Sequence, residues 1–223
     1  MFHTFAMKGM LLVKRARPDL EPGFGFLSLR VRASTRQDWS KLVKLMSLML
    51  GTKYEVLILS ADDSKNLRCH TDAAFGVHSE MKSHADGTFS MGHGSMSSSS
   101  EKKKVSSRSS TEAELIAFDD KISKVAWTKM LEEAQGFKVY LSIVFQDNAS
   151  TIKLVENGNT SSGKRTRHFY ICLFHVTDLI IRKEVMIKQC PTGKMLANQF
   201  SKPLVGKLFR CMRSNVMNIV FRL

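Results

Sequence analysis

The sequence predicts an α/β protein in which a mixed central sheet is flanked by helices. Three observations lead to this prediction. A nearly continuous apolar run at 139–145, VYLSIVF, is typical of a strand buried on both faces. A long amphipathic helix is predicted just before it, from Ser109 onwards. Over the rest of residues 61–223, short strand-like and helix-like patterns alternate.

Residues 1–60 are predicted to be mainly helical, and we assign them to a unit separate from residues 61–223. Two prolines and two glycines are expected to break the start of this unit into a loop or turn, namely Pro18, Pro22, Gly23 and Gly25. Apolar residues then recur at helical spacing from Trp39 to Leu50, and Gly51 is a stop signal. This segment is expected to bury one helical face.

The second unit is predicted to begin near Asp62, with a strand over 66–74 and a glycine-rich hairpin over 83–94. The segment 95–104 is rich in serine and then lysine, and its low complexity predicts a mobile loop. A short strand is predicted over 105–108.

The long helix opens at the string SSTE, 109–112, where hydroxyl side chains can cap the first turn and an acid suits the helix dipole. The register of its apolar stripe distinguishes two acids. Glu114 lies on the edge of the stripe, whereas Glu112 is rotated by roughly 120° from Phe118 at about 100° per residue. We therefore expect Glu114 to face the sheet and Glu112 to face solvent.

Four elements are predicted after the buried strand. A helix begins at Ser150, a helix-like stretch follows at 164–181, a strand at 185–190 and a short helix at 194–200. The second unit should therefore read strand, hairpin, long helix, buried strand, two helices, strand and helix.

The formal net charge of +14 is unevenly distributed along the chain. Residues 1–60 carry +6, residues 61–160 carry −2 and residues 161–223 carry +10. Two basic ends around a more acidic middle favour a polyanionic partner, most simply nucleic acid. The alternative is a basic surface without a specific partner.

Cysteine content and hydropathy exclude several classes. Four cysteines without a Cys-x-x-Cys pair argue against a disulfide-dense scaffold and a structural zinc site. The apolar stretches are too short to cross a bilayer, and the N-terminal order of apolar and basic residues differs from that of a secretory signal. We therefore expect an intracellular protein without a membrane partner.

Three acids occupy positions suited to metal chemistry: Asp72 in the first strand of the second unit, Glu114 near the start of the long helix, and Asp147 after the buried strand. Ligands collect at the carboxyl ends of strands in open α/β sheets, and carboxylates gathered there repel one another unless a cation joins them. Two Mg²⁺ ions in such a site can activate a water and stabilise the leaving oxygen of a phosphodiester. The structural alternatives are a strand-end cap, a helix-dipole acid and a turn residue, respectively.

Four strings, in this order, resemble one family: SSRSSTEAELIAFDDKISKVAW, VFQDNASTIKL, SSGKRTRHF and CPTGKMLANQFSKPL. Together with HTDAAFGVHSEMKSHADGTFSMGHGS, they resemble the ribonuclease H domain of Ty1/copia-type retrotransposon Pol polyproteins. The segments KRARPDLEPGFGFLSLRV and DWSKLVKLMSLMLGT are similar to the thumb and connection region at the end of the reverse transcriptase. The resemblance covers about residues 10–218.

The resemblance implies an RNase H-like fold, preceded by a small, mainly helical reverse-transcriptase remnant. It implies metal-dependent cleavage of the RNA strand of RNA–DNA hybrids, with two Mg²⁺ ions, or Mn²⁺ in their place, held by Asp72, Glu114 and Asp147. The implied partners are the hybrid and the remainder of the Pol polyprotein, in the cytoplasm or in retroelement particles. A basic cluster is expected to contact the hybrid, with a solvated charge run as the alternative: Lys164, Arg165, Arg167 and His168.

Two of the chain's departures from the family pattern concern residues near the expected site. Where the family has Ala-Asp before the Ser-Lys-Pro-Leu string, this chain has Ala197-Asn198, so Asn198 is a fourth catalytic position that keeps an oxygen but lacks the negative charge. Tyr170 stands where the family carries an acid after TRHF. The polymerase motif Tyr-x-Asp-Asp is absent, so we expect no DNA polymerase activity. The alternative function is a weakened or inactive nucleic-acid-binding remnant of the polyprotein.

Overall fold

The computed structural model describes residues 1–78, 80–158, 170–201 and 204–219. The described helices are α1 (Phe2–Ala16), α2 (Glu21–Ser28), α3 (Arg36–Gly51), α4 (Ser110–Ala134), α5 (Ala149–Asn157), α6 (Tyr170–Ile181), α7 (Asn198–Ser201) and α8 (Gly206–Met217). The described strands are β1 (Ser60–Ala61), β2 (Leu67–Ala74), β3 (His84–Ser90), β4 (Gly92–His93), β5 (Ser97–Lys102), β6 (Ser142–Gln146) and β7 (Val185–Gln189).

A mixed sheet with the strand order β5-β3-β2-β6-β7 forms the centre of the second unit. β2 pairs antiparallel with β3, and β3 with β5, whereas β2, β6 and β7 are parallel to one another. Helices α4 and α6 share an apolar core with one face of this sheet, and α7 contacts β2, β3 and β5. This arrangement confirms the predicted α/β class, with a mixed central sheet flanked by helices.

The first unit is helical, but its proline- and glycine-containing segment is not the loop that was predicted. Pro18 starts a 3₁₀ turn, and Pro22 lies in the first turn of α2, where its missing N–H is not needed. The two glycines that follow Pro22 are also inside α2. Gly9 of α1 lets the Phe24 ring approach closely, because a Cβ at Gly9 would lie 2.0 Å from that ring. The prediction of a break was therefore wrong.

The serine-rich segment predicted as a mobile loop instead contains β5, the edge strand that pairs with β3. Two of its serines are buried and hydrogen-bonded: Ser98 donates to Glu21, and Ser99 accepts from Lys121. The low-complexity composition was misleading because these partners come from distant helices. The short strand predicted over 105–108 is not formed.

Element ends differ from the predictions in the C-terminal half. The buried strand begins at Ser142 rather than residue 139, and the short helix predicted over 194–200 is a 3₁₀ turn, Thr192–Lys194, followed by α7. Of the helix-like stretch 164–181, the described part is α6. Helix α8 was not predicted. None of the described helices combines the length and apolar character needed to span a lipid bilayer.

A buried ion-pair network connects the helical unit to the last described helix. The Asp19 carboxylate accepts hydrogen bonds from Arg17 Nε (2.9 Å) and Nη2 (2.8 Å), and from Arg213 Nε of α8 (2.8 Å). Arg213 also pairs with Glu55, and Arg17 Nη2 donates to Thr52 Oγ1 at 2.9 Å. These contacts tie α8 to the helical unit. The boundary between residues 60 and 61 stays a prediction.

Arg213→Ala should destabilise the protein by about 3–5 kcal/mol, because it leaves the buried Asp19 carboxylate without one of its partners. Urea unfolding followed by circular dichroism measures this change. Arg210→Ala is the matched control, since Arg210 lies one turn earlier in α8 and is exposed. Equal stability of the two variants would contradict the proposed contribution of the network.

Candidate active site

The three predicted acids come together at one point of the structure. Asp72, Glu114 and Asp147 each offer a carboxylate oxygen, and these oxygens all lie within 4.8 Å of one another. Asp72 and Glu114 are buried, and Asp147 is half-buried. The described residues therefore contain a compact carboxylate cluster near the carboxyl ends of the central strands β2 and β6.

Strand register explains how two of these acids meet. β2 and β6 are parallel, and His70 lies beside Phe145. The paired residues end there, and continuing the same register by two residues brings Asp72 of β2 level with Asp147, the first residue after β6. Because neighbouring strands are about 4.8 Å apart, their carboxylates are brought close by backbone pairing alone.

Helix α4 supplies the third acid. Its N-cap is Ser109, whose hydroxyl accepts from the Glu112 N–H at 3.2 Å, and this cap fixes where the helix starts. Glu114 lies one turn further on, and its carboxylate accepts hydrogen bonds from the backbone of Ala73 and from Gln146 Nε2 at 3.2 Å. Glu114 is thus tied to the residue after Asp72 and to the residue before Asp147.

The prediction that Glu112 faces solvent was wrong, although Glu114 does face the sheet. Glu112 is buried, with 3% of its surface exposed, and its carboxylate accepts from the backbone N–H of Arg108. The helical register alone did not show that the chain before α4 folds back over this side chain. Glu112 therefore takes part in capping the helix rather than in the carboxylate cluster.

Sequence patterns did not single out two polar residues that contact the cluster. Ser201 of α7 donates its hydroxyl to Asp72 Oδ2 at 2.7 Å, and Gln146 donates to Glu114 as described above. The sequence feature that could have identified Gln146 is its position at the end of the buried strand, directly before Asp147. Ser201 is 129 positions from Asp72, and no local pattern connects the two.

Asn198 begins α7 and is buried near the cluster. Its Nδ2 donates to the Thr192 carbonyl at 2.7 Å, and its own carbonyl lies 3.5 Å from the Ser201 hydroxyl that bonds to Asp72. Asn198 is thus connected to Asp72 through the Ser201 hydroxyl. Its role as a fourth catalytic position stays a prediction.

Asp86 is a further buried acid close to the cluster. It lies directly across from Asp72 in the antiparallel pairing of β2 and β3, and across from Ser100 on the other side. Burial, with a smaller contribution from Asp72, holds its pKa well above the usual value for an aspartate. The Ser100 hydroxyl donates to the Phe200 carbonyl of α7, which covers this part of the sheet.

The predicted hybrid-contacting residues Lys164, Arg165, Arg167 and His168 lie outside the described residues. Tyr170, the other departure from the family pattern, begins α6 and is half-buried.

The electrostatics of the cluster fit a divalent cation. Burial, and then the charges of Asp72 and Asp147, raise the pKa of Glu114 to about 8. All three side chains are oxygen donors, the type that Mg²⁺ prefers, and a cation among them would offset their mutual repulsion. Asp72, Glu114 and Asp147 could therefore hold such an ion.

The raised pKa of Glu114 predicts a pH dependence of the metal-free protein. The charged form of Glu114 is disfavoured in the folded state. The contribution of this side chain to the free energy of unfolding is therefore fully present below about pH 4.5 and is lost as the pH rises towards 8. The Glu114→Gln variant lacks this titration. The free energy of unfolding of the variant minus that of the wild type should therefore increase by about 3 kcal/mol between pH 5 and pH 8.

Urea unfolding of both proteins in chelator, at the two pH values, measures this difference. Titrations common to both proteins, such as those of His70 and His84 with their pKa lowered to about 4 by burial, cancel in the comparison. A difference that does not change with pH would contradict the prediction.

Comparisons with known proteins identify relatives over most of the chain. It is 25% identical over 196 residues to the retrovirus-related Pol polyprotein from transposon RE2 of Arabidopsis thaliana, covering 87% of this chain and 13% of that protein. It is 24% identical over 187 residues to the corresponding polyprotein from transposon TNT 1-94 of Nicotiana tabacum, covering 83% of this chain and 14% of that protein. No protein-family model matches the chain.

Solved structures give lower similarity. LC11-RNase H1, isolated from compost by a metagenomic approach, has a TM-score of 0.45 and 11% identity, covering 61% of this chain and 92% of that one. The same enzyme in complex with an RNA/DNA hybrid has a TM-score of 0.42 and 10% identity, covering 58% and 88%.

The chain spans about one seventh of the length of the polyproteins that it matches. Over that span, the resemblance indicated by its motifs is confirmed: the chain is similar to the retrovirus-related Pol polyproteins of copia-type plant transposons.

Proposed function

We propose that the chain is a metal-dependent ribonuclease H that cleaves the RNA strand of RNA–DNA hybrids as part of a retrotransposon Pol polyprotein. The observation that carries this proposal is the meeting of Asp72, Glu114 and Asp147, with oxygens within 4.8 Å, on an RNase H-like sheet. Three acids from two strands and one helix converge although they are far apart in sequence. A purely structural role would not require such convergence of like charges.

Each side chain has a distinct task in this proposal. Asp72, Glu114 and Asp147 would hold two Mg²⁺ ions, or Mn²⁺, and Asn198 would contribute a neutral oxygen nearby. Bound metal would supply an activated water and stabilise the charge of the leaving oxygen. Ser201 keeps the Asp72 carboxylate directed towards the cluster, and the half-buried Asp147 leaves the site open on one side.

The charge distribution supports a hybrid as substrate. Along the sequence, ends with net charges of +6 and +10 flank a segment of net charge −2 that contains the three acids. In this proposal the basic side chains contact phosphates while the acids bind cations. Lys164, Arg165, Arg167 and His168 are proposed to contact the hybrid backbone. Recognition would depend on helix shape and 2′-hydroxyl groups, with little sequence preference. The remainder of the polyprotein is a proposed partner, and the cytoplasm or a retroelement particle the proposed location.

A second candidate function is a hybrid-binding module with weakened or absent catalysis. Asn198 favours it, because its amide donates to the Thr192 carbonyl and brings no negative charge to the site. In this case hybrid binding would persist and weaken steeply with salt, while no cleavage product forms.

Cleavage of a labelled RNA–DNA hybrid in Mg²⁺ is the direct test. Asp72→Asn should reduce the rate by about 100-fold or more, since loss of even a supporting residue costs 10–100-fold at metal sites. Asp63→Asn is the matched control, because it makes the same change at an exposed acid nine residues earlier. An uncut hybrid with the wild-type protein, in both Mg²⁺ and Mn²⁺, would reject the nuclease, and salt-dependent binding of the same hybrid would then select the binding module.

Asn198→Asp should lower the Mg²⁺ concentration for half-maximal cleavage by roughly tenfold, because one added charge near a cation is worth about 1–4 kcal/mol. Asn215→Asp, at an exposed position in α8 that is not among the residues of the cluster, adds the same charge and should have no effect. An unchanged metal dependence of Asn198→Asp would mean that this position does not interact with the metals.

A further inference from the structure

Gln146 occupies a position between two of the proposed metal-binding acids. It is the last residue of β6 and is fully buried. Its Oε1 accepts hydrogen bonds from the backbone N–H groups of Asp147 at 2.8 Å and Asn148 at 3.1 Å, and its Nε2 donates to Glu114 Oε2 at 3.2 Å. One side chain thus contacts both the turn that carries Asp147 and the carboxylate of Glu114.

The chemistry of these bonds fixes the orientation of the amide. Two backbone N–H donors require the carbonyl oxygen of the side chain, so the NH₂ group must point towards Glu114. The backbone of Gln146 is also fixed, because its carbonyl accepts from Cys190 N at 2.9 Å and it pairs with Gln189 of β7. Gln146 therefore presents a donor to Glu114 from a rigid support.

This support determines where the Glu114 carboxylate lies. A glutamate side chain on a helix has three rotatable bonds, and burial alone does not select one oxygen position. The backbone of Ala73 fixes the carboxylate on the Asp72 side, and Gln146 fixes it on the Asp147 side. Residues that orient metal ligands in this way typically change metal affinity by 10–100-fold when they are replaced.

We propose that Gln146 is a positioning residue that holds Glu114 and the Asp147 turn in the geometry needed to bind the metal ions. This inference rests on the proposed function, because it takes the three acids as metal ligands. Gln146 itself does not contact the metals or the substrate. Its effect should therefore appear in metal affinity and should depend on the presence of Glu114.

The primary test measures Mn²⁺ binding to the full chain by electron paramagnetic resonance of the free ion. Gln146→Met keeps the length of the side chain and removes both hydrogen-bonding functions, and it should weaken Mn²⁺ binding by about tenfold or more. Gln189→Met makes the same change at the register partner of Gln146, which is exposed, and should leave the affinity unchanged. Equal affinities of wild type and Gln146→Met would overturn the proposal.

A double-mutant cycle with Glu114→Gln separates positioning from a general loss of structure. If Gln146 acts through Glu114, Gln146→Met should have a much smaller effect on Mn²⁺ affinity in the Glu114→Gln background. Additive effects would overturn the proposal. If Gln146→Met does not fold, Gln146→Asn replaces it in the same cycle, since it withdraws the amide from Glu114 by one methylene without adding a charge; coupling to position 114 again supports the proposal, and additivity overturns it.

Binding and cleavage measured in parallel distinguish this inference from the proposed function. Mn²⁺ binding that depends on Gln146, with an uncut hybrid, would reject the nuclease and support the positioning role. Cleavage of the hybrid, together with a Mn²⁺ affinity that does not change in Gln146→Met, would support the nuclease and reject the positioning role. Absence of Mn²⁺ binding by the wild-type chain would reject both.

Discussion

The structure is organised around three carboxylates that repel one another, two of them buried and the third half-buried. Two unit charges 4.8 Å apart interact by about 3 kcal/mol at an effective dielectric constant near 20. The fold must overcome this repulsion before any cation binds. It does so through the parallel pairing of β2 with β6 and through the apolar core between the sheet and α4. The geometry of the cluster is therefore imposed by packing that contains no charge.

Neutral donors and protonation limit the cost of this arrangement. Backbone and side-chain donors contact the acids without adding charge: Ser201 bonds to Asp72, and Gln146 bonds to Glu114. The raised pKa of Glu114 means that the metal-free fold holds less negative charge near neutral pH than three acids would suggest. Asp86, opposite Asp72, has its pKa raised in the same direction by burial. A divalent cation is the partner that would allow these acids to ionise together.

The parts of the site that sequence could predict are those set by local patterns. Asp72 and Asp147 follow from strand position, and Glu114 from helical register, because each of these patterns spans only a few residues. Contacts across long sequence separations could not be predicted in this way. The serines of β5 are typical of a loop until Glu21 and Lys121 are brought to them, and Glu112 is typical of an exposed helix residue until residue 108 folds over it.

The side chain at position 198 bears on both candidate functions, because its charge affects the repulsion among the nearby acids. Helix α7 covers a sheet face that already contains Asp72 and Asp86, so an aspartate at position 198 would add a further charge to a repelling group. The asparagine amide instead donates to the Thr192 carbonyl, a bond that a carboxylate cannot make. If the three acids bind metal ions as proposed, asparagine at this position would favour the metal-free fold and disfavour metal binding. The metal affinity of Asp72, Glu114 and Asp147 would then distinguish the two candidate functions. If these three acids still bind the metal ions, the chain would be a weakened nuclease; if they do not, it would be a hybrid-binding module.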